Sequence, residues 1–178
     1  QYAAAGSRIV NANTFGASAH KLAGSAYTLE QVITAGIENC KRACAPYGAL
    51  TALDVGPLGE LLEPSGTLAF EDAVAEYARI VKAGEAAGAD LIFFETYTDL
   101  YELKAALLAA KENTHLPILA SMSFEAGGRT FTGCTVESFA ATARGLGADA
   151  VGINCSLGPK EIFPMAKRLA EAVPGNFP

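Results

Sequence analysis

The chain has no basic cluster. Its 178 residues carry 13 Lys and Arg against 19 Asp and Glu, a formal net charge of −6, and the cations are scattered. Nucleic acid is therefore not an expected partner, because phosphate-backbone binding needs a concentrated positive face. Long hydrophobic runs are missing too. None approaches the ~18 residues that cross a bilayer, and the opening "QYAAAGSRIVNANTF" lacks a basic region followed by a long apolar stretch. Neither a membrane role nor a secretory leader is expected. There is no GxSxG and no Walker sequence, which argues against acyl transfer by an activated serine and against nucleotide hydrolysis. The four cysteines, Cys40, Cys44, Cys134 and Cys155, form neither a CxxC pair nor a small secreted disulfide framework. Cys40 and Cys44 fall four apart in a helical stretch, hence on one face, and read as small buried residues. A reducing cytoplasm is the expected setting.

What is present is a strongly apolar chain, 51% hydrophobic and 18% charged, suited to a compact domain with a sizeable core. Five short runs read as strands: "SRIVNAN" (7–13), "ALTALDV" (49–55), "ADLIFFE" (89–95), "PILASMS" (117–123) and "ADAVGIN" (148–154). They are nearly continuously hydrophobic, as strands covered on both faces are. Segments of helical spacing fall at about 28–46, 70–87, 98–112, 137–146 and 160–172; in "DLYELKAALLAAKEN" the residues Leu100, Leu103, Leu107 and Ala110 make one apolar stripe. Three strands are announced alike, by "AAAGSRIV", "EAAGADLIFF" and "RGLGADAVGI": a helix end, a glycine exit, a polar residue, a strand.

Regular βα alternation predicts parallel strands, in an open doubly wound sheet or a (β/α)8 TIM barrel. No GxGxxG follows a strand, which removes the dinucleotide fingerprint of the first. Polar residues follow nearly every strand instead: Asn13 and Thr14, Asp54, Glu95, Ser123 with Glu125, and Asn154 with Cys155. In a barrel all C-terminal strand ends converge on one mouth, so many strands can serve one site; an open sheet uses few, at a switch point. The barrel is favoured. It needs eight βα units and about 250 residues, whereas five strands are legible here. The expectation is one α/β domain, residues 1–178, forming a partial barrel truncated at both ends.

Glu95 closes a run of large apolar residues, so its carboxylate is expected either to meet a ligand's cation or to pair with a neighbouring Lys or Arg. Asp99 precedes a helix, with Glu102 three residues on, a capping-box pattern. Asp54 begins the loop "DVGPLGELLEPSG", where it either holds loop amides or touches substrate. Asn13 and Thr14 either bind a polar substrate end or tie down their loop. His20 and His115 lie away from the strand ends in sequence and read as surface residues. Cys155 has three readings: packing, metal ligand or nucleophile. The last wants a base, and no histidine is placed to help; the second wants two or three further donors.

The motifs "NANTFGA", "DVGPLGELLEP", "FFETYTDLYELKAALLAAKE", "SMSFEAGGRTFTG" and "GINCSLGP", one at each strand end, together resemble the homocysteine-binding domain of the homocysteine S-methyltransferases. The likeness runs over almost the whole chain and is strongest to the N-terminal module of cobalamin-dependent methionine synthases. It implies a (β/α)8 barrel of which this chain spans about strands two to six. It also implies that Zn2+ is held by three cysteines, one matching Cys155 and the other two in a segment beyond this sequence. Glu95 would bind the amino group of homocysteine, with Asn13 and Thr14 lining the pocket; Cys134 stands where the family usually has threonine, a neutral swap. Zinc would lower the substrate thiol below its usual pKa of about 8.5, and the thiolate would take a methyl group from a donor. In the nearest branch the donor is methylcobalamin, and cobalamin- and folate-binding modules of the parent are the implied partners. Cys155 would then be a ligand and not the nucleophile. Residues 1–178 alone are expected to be inactive and to lack tight zinc. The rivals are another TIM-barrel enzyme acting on a small metabolite, or a catalytically inert barrel piece.

Overall fold

A computed structural model describes residues 1–173. Five strands, β1 (Ile9–Asn11), β2 (Leu50–Val55), β3 (Leu91–Tyr97), β4 (Ile118–Met122) and β5 (Ala150–Ile153), alternate with five helices, α1 (Leu29–Cys44), α2 (Phe70–Ala86), α3 (Leu100–Asn113), α4 (Val136–Gly145) and α5 (Pro159–Ala172). The strands form one parallel sheet in the order β1-β2-β3-β4-β5. The order itself discriminates between the two architectures. Crossovers between parallel strands are right-handed almost without exception, so an unbroken sequential order puts every helix on the same face. A doubly wound sheet reverses direction somewhere; this one does not.

Residue parity follows from that layering. Leu53 lies against Gly84 of α2, close enough that a Cβ there would fall 2.4 Å from a Leu53 methyl carbon. Phe94 meets the Tyr77 ring edge-on at 6.1 Å. These residues define the helix side, with Ile92 and Ala120 in the same parity by register. The alternate residues, Ala52, Asp54, Phe93, Glu95, Ser121 and Gly152, share the inner face. At its far end Ile9 and Leu50 are 43% and 47% exposed. The core lies between sheet and helices, and α3 is buried most completely because it packs between α2 and α4.

Local signals explain where the elements begin. Thr28 caps α1 with a reciprocal capping box to Gln31, Thr135 caps α4 through Ser138 N–H, and Asp99 caps α3 through Tyr101 N–H. The recurrent glycine exits adopt left-handed φ at Gly6, Gly88 and Gly147, a conformation that costs glycine little. The aspartates two residues later pin the sheet: Asp90 accepts from Thr51 N–H at 2.7 Å and Asp149 from Ile118 N–H at 2.8 Å. Each of these acids therefore secures the start of the preceding strand. β1 is shorter than the expected 7–13 because Ser7 N–H turns back to Tyr2 O. β3 is longer than expected, continuing past Glu95 through an irregular register between Phe94 and Tyr97.

One expectation is corrected. Glu102 does not close a capping box with Asp99. It is buried, and its Oε1 accepts from Leu58 N–H at 2.7 Å and from the Tyr77 hydroxyl at 2.9 Å. Reaching Leu58 satisfies a buried amide of the β2–α2 loop, which outweighs a cap bond that water can replace. The loop-holding role open to Asp54 thus belongs to Glu102.

Candidate active site

The C-terminal ends of β3, β4 and β5 meet at Asn154, just past β5. Its carboxamide uses both ends. Oδ1 accepts from Thr96 N–H at 3.2 Å and from the Ser121 hydroxyl at 2.8 Å; Nδ2 donates to Thr96 Oγ1 at 2.7 Å and to Glu95 Oε2 at 3.1 Å. Ser123 donates to the Asn154 carbonyl at 2.9 Å. A single planar group therefore links three strands and orients the Glu95 carboxylate.

Backbone strain gathers at the same place. Thr96, Cys155 and Ser156 have φ of 65°, 63° and 61°. Left-handed backbone costs an L-residue about 1–2 kcal/mol, and for β-branched Thr96 it is a genuine outlier. Thr96 is held there by the two bonds from Asn154. The turn at Thr96 lets β3 kink so that Glu95 addresses β5. The turn at Cys155 brings an exposed thiol out immediately after the clamp. Strain of this kind, over-determined by its surroundings, marks functional positions.

Of the residues singled out in the sequence, Glu95 belongs to this cluster and Cys155 adjoins it. Thr14 is buried, and its hydroxyl is already engaged: it donates to Asp54 O at 2.8 Å and accepts from Asp54 N–H at 3.1 Å, fastening the β1–α1 loop to β2. Asn13 is exposed and lines a cavity of about 500 Å3 between β1 and α1, with Tyr27, Gln31 and Cys40 among its walls. His20 pairs with Glu60 at 2.7 Å on the surface. Cys40 and Cys44 are buried with sulfurs 3.9 Å apart. Burial pushes the half-buried Cys134 thiol up to about 11, and its Sγ donates to Thr135 O at 3.2 Å. Among the described residues no three His, Cys, Asp or Glu side chains group as metal ligands. Cys155 offers one sulfur donor, so the described residues by themselves do not make a zinc site.

In the sequence Asn154 is only a polar neighbour of Cys155, nothing singles out Thr96 or Ser121, and the closeness of Asp54 to Glu95 arises only in the fold. Burial first, then the Glu95 carboxylate, push Asp54 up to about 7. One signal was legible: Asp54, Glu95, Ser121 and Asn154 all fall in the inner-face parity of their strands.

The profile of the family "Homocysteine S-methyltransferase" matches residues 1–177. The chain is 33% identical over 88 residues to the methionine synthase of Mycobacterium tuberculosis and 32% over 89 residues to that of Mycobacterium leprae. Each alignment covers 47% of this chain but only 7% of the relative. Among solved structures, the metallated form of the homocysteine methyltransferase MmuM from Escherichia coli superposes with a TM-score of 0.79 at 21% identity, covering 90% of this chain and 62% of that one. Its apo form gives 0.68 at 22% identity, covering 90% and 60%. The shared fold places the Glu95–Asn154 cluster at the strand ends where barrels of this kind carry their sites. With the family profile spanning nearly every residue, this chain belongs to the homocysteine S-methyltransferase family.

Proposed function

We propose that residues 1–178 form part of a (β/α)8 barrel that binds homocysteine for methyl transfer to its sulfur, the methionine-forming reaction. The observation that carries this is the Glu95 carboxylate, oriented by Asn154 across three strand ends and flanked by an exposed Cys155. An oriented carboxylate facing an open mouth suits a primary ammonium group, which brings three donors and a full charge. Asn13, exposed just past β1, is the amide proposed to meet a polar end of the substrate. Thr14 contributes by holding the end of β2, since its hydroxyl has no free valence for a ligand.

Cys155 is proposed as one zinc ligand, completed by donors from outside this chain. Its left-handed backbone turns the side chain outward, where a ligand completed from elsewhere must be. The donor of the methyl group is proposed to be methylcobalamin, on a separate module, because the curated relatives are methionine synthases far longer than the stretch they share with this chain. Cobalamin- and folate-binding modules are then partners in the parent, and the cytoplasm is the matching compartment. No helix among the described residues is long and apolar enough to cross a membrane. The family match removes support from an unrelated barrel enzyme.

The test is binding, with zinc counted separately. Calorimetry with L-homocysteine should detect an interaction that Glu95→Gln weakens by roughly tenfold or more, the loss of a charge-assisted bond. Metal analysis of the isolated chain should find much less than one zinc per molecule. A tightly held stoichiometric zinc with Cys155 as its sole thiolate refutes the shared-ligand reading; unchanged affinity in Glu95→Gln refutes the assignment of Glu95.

A further inference from the structure

Asp54 takes no part in the reading above, and it is an awkward place for a carboxyl group. It is 7% exposed, its Oδ1 is buried without a hydrogen-bond partner, and its backbone is already satisfied by Thr14. A buried carboxyl oxygen with no donor costs free energy unless the group is protonated or a cation arrives. The sheet register puts Asp54 opposite Phe93, so Glu95 lies two residues further along the same face of the neighbouring strand. Strand spacing and rise make that diagonal about 8 Å between Cα atoms, a gap two carboxyl side chains can close. The groups acting on Asp54 are Glu95 from β3 and the Asn11 amide from β1, and the Tyr97 phenol also feels its charge. No Lys, Arg or His side chain is among them.

We propose that Asp54 and Glu95 share one proton across the ends of β2 and β3 and together form a socket for a primary ammonium group, which displaces that proton on binding. This rests on the reading of Glu95 as the ammonium-binding carboxylate and adds its partner and its proton. Two close carboxyls in a shielded place do not both ionise, so one keeps a proton. The balance is simple. The empty site holds one carboxyl and one carboxylate; R–NH3+ enters already charged; the proton leaves to solvent; the occupied site holds two carboxylates and one cation. The ammonium supplies the donor that Asp54 Oδ1 lacks, and Asn154 keeps Glu95 turned toward it.

The ligand-free chain gives the first measurement, a carbon-detected NMR titration of the Asp54 side chain. Its midpoint should lie near 7 and should drop by at least about one unit in Glu95→Gln, where the like charge is gone. A wild-type midpoint below about 5 overturns the proposal whether or not homocysteine binds. Calorimetry with L-homocysteine at about pH 6, in buffers of different ionisation enthalpy, should show release of most of one proton. Asp54→Asn should release none and bind roughly tenfold more weakly. Binding without proton release, or undiminished binding in Asp54→Asn, overturns the socket. Should homocysteine not bind at all, the substrate reading fails, and methylammonium chloride judges the socket alone. A fall in the Asp54 midpoint with methylammonium, but not with tetramethylammonium at equal ionic strength, supports it; equal movement or none refutes it.

Discussion

Replacing Asn154 by alanine tests the clamp that organises the strand ends. Four side-chain hydrogen bonds disappear: two accepted from Thr96 N–H and Ser121, two donated to Thr96 Oγ1 and Glu95. At a net value of about 0.5–1.5 kcal/mol each, and with the group only half-buried, Asn154→Ala should cost about 3 kcal/mol. Part of that arises because Thr96 keeps its strained φ of 65° with nothing to hold it. The strain is separable. Thr96→Gly removes about 1–2 kcal/mol of left-handed strain but loses one bond and gains chain entropy in the unfolded state, so alone it should change stability by less than about 1 kcal/mol. In the Asn154→Ala background that bond is already gone, and the same change should restore about 1 kcal/mol. Urea unfolding of the four proteins in the cycle gives the coupling directly. A cost for Asn154→Ala below about 1 kcal/mol, or single effects that add within about 0.5 kcal/mol, would show that the carboxamide bridges the strands without supporting them.

Glu102→Ala should destabilise by about 3 kcal/mol, because the Leu58 amide and the Tyr77 hydroxyl are left without their acceptor; hydrogen exchange at Leu58 should accelerate, and an unprotected Leu58 in the wild type would contradict this. Gly84→Ala should cost about 1–3 kcal/mol by overpacking Leu53, with thermal unfolding as the assay and an unchanged midpoint as the contrary result. Stability should also carry an Asp54 signature in pH. Its folded pKa, about 7, lies above the ordinary ~3.9, so the native state holds a proton that the unfolded chain has released. Stability is then greatest below the unfolded value and falls as pH rises toward 7. The full shift corresponds to about 4 kcal/mol as a ceiling, and screening at the open mouth reduces this to about 2 kcal/mol. Subtracting the profile of Asp54→Asn isolates it from acids such as Glu137, which Arg168 holds down to about 2; identical slopes in the two proteins between about pH 4 and 7 would refute it.

Much of this fold is written in short-range pattern. Continuous apolar runs, glycine exits, and the caps Thr28 and Asp99 depend on period and dihedral preference over a few residues. A reader of the chain alone therefore finds all five strands, all five helices and the polar strand ends, and the recurring motifs carry the family likeness. Glu95 and Cys155 stand out for the same reason, a functional group placed straight after a buried strand. Tertiary structure decided the rest. Glu102 looks like a cap partner until the fold brings a buried amide from residue 58 to it. Thr14 looks like a pocket hydroxyl until β2 arrives to use both its donor and its acceptor. Asp54 and Glu95 are 41 positions apart, and only the register of β2 against β3 makes them neighbours with one proton's worth of room between their charges. Local pattern determines which groups stand at the ends of strands. Which of them meet is set by strand order and register, and those are properties of the assembled sheet.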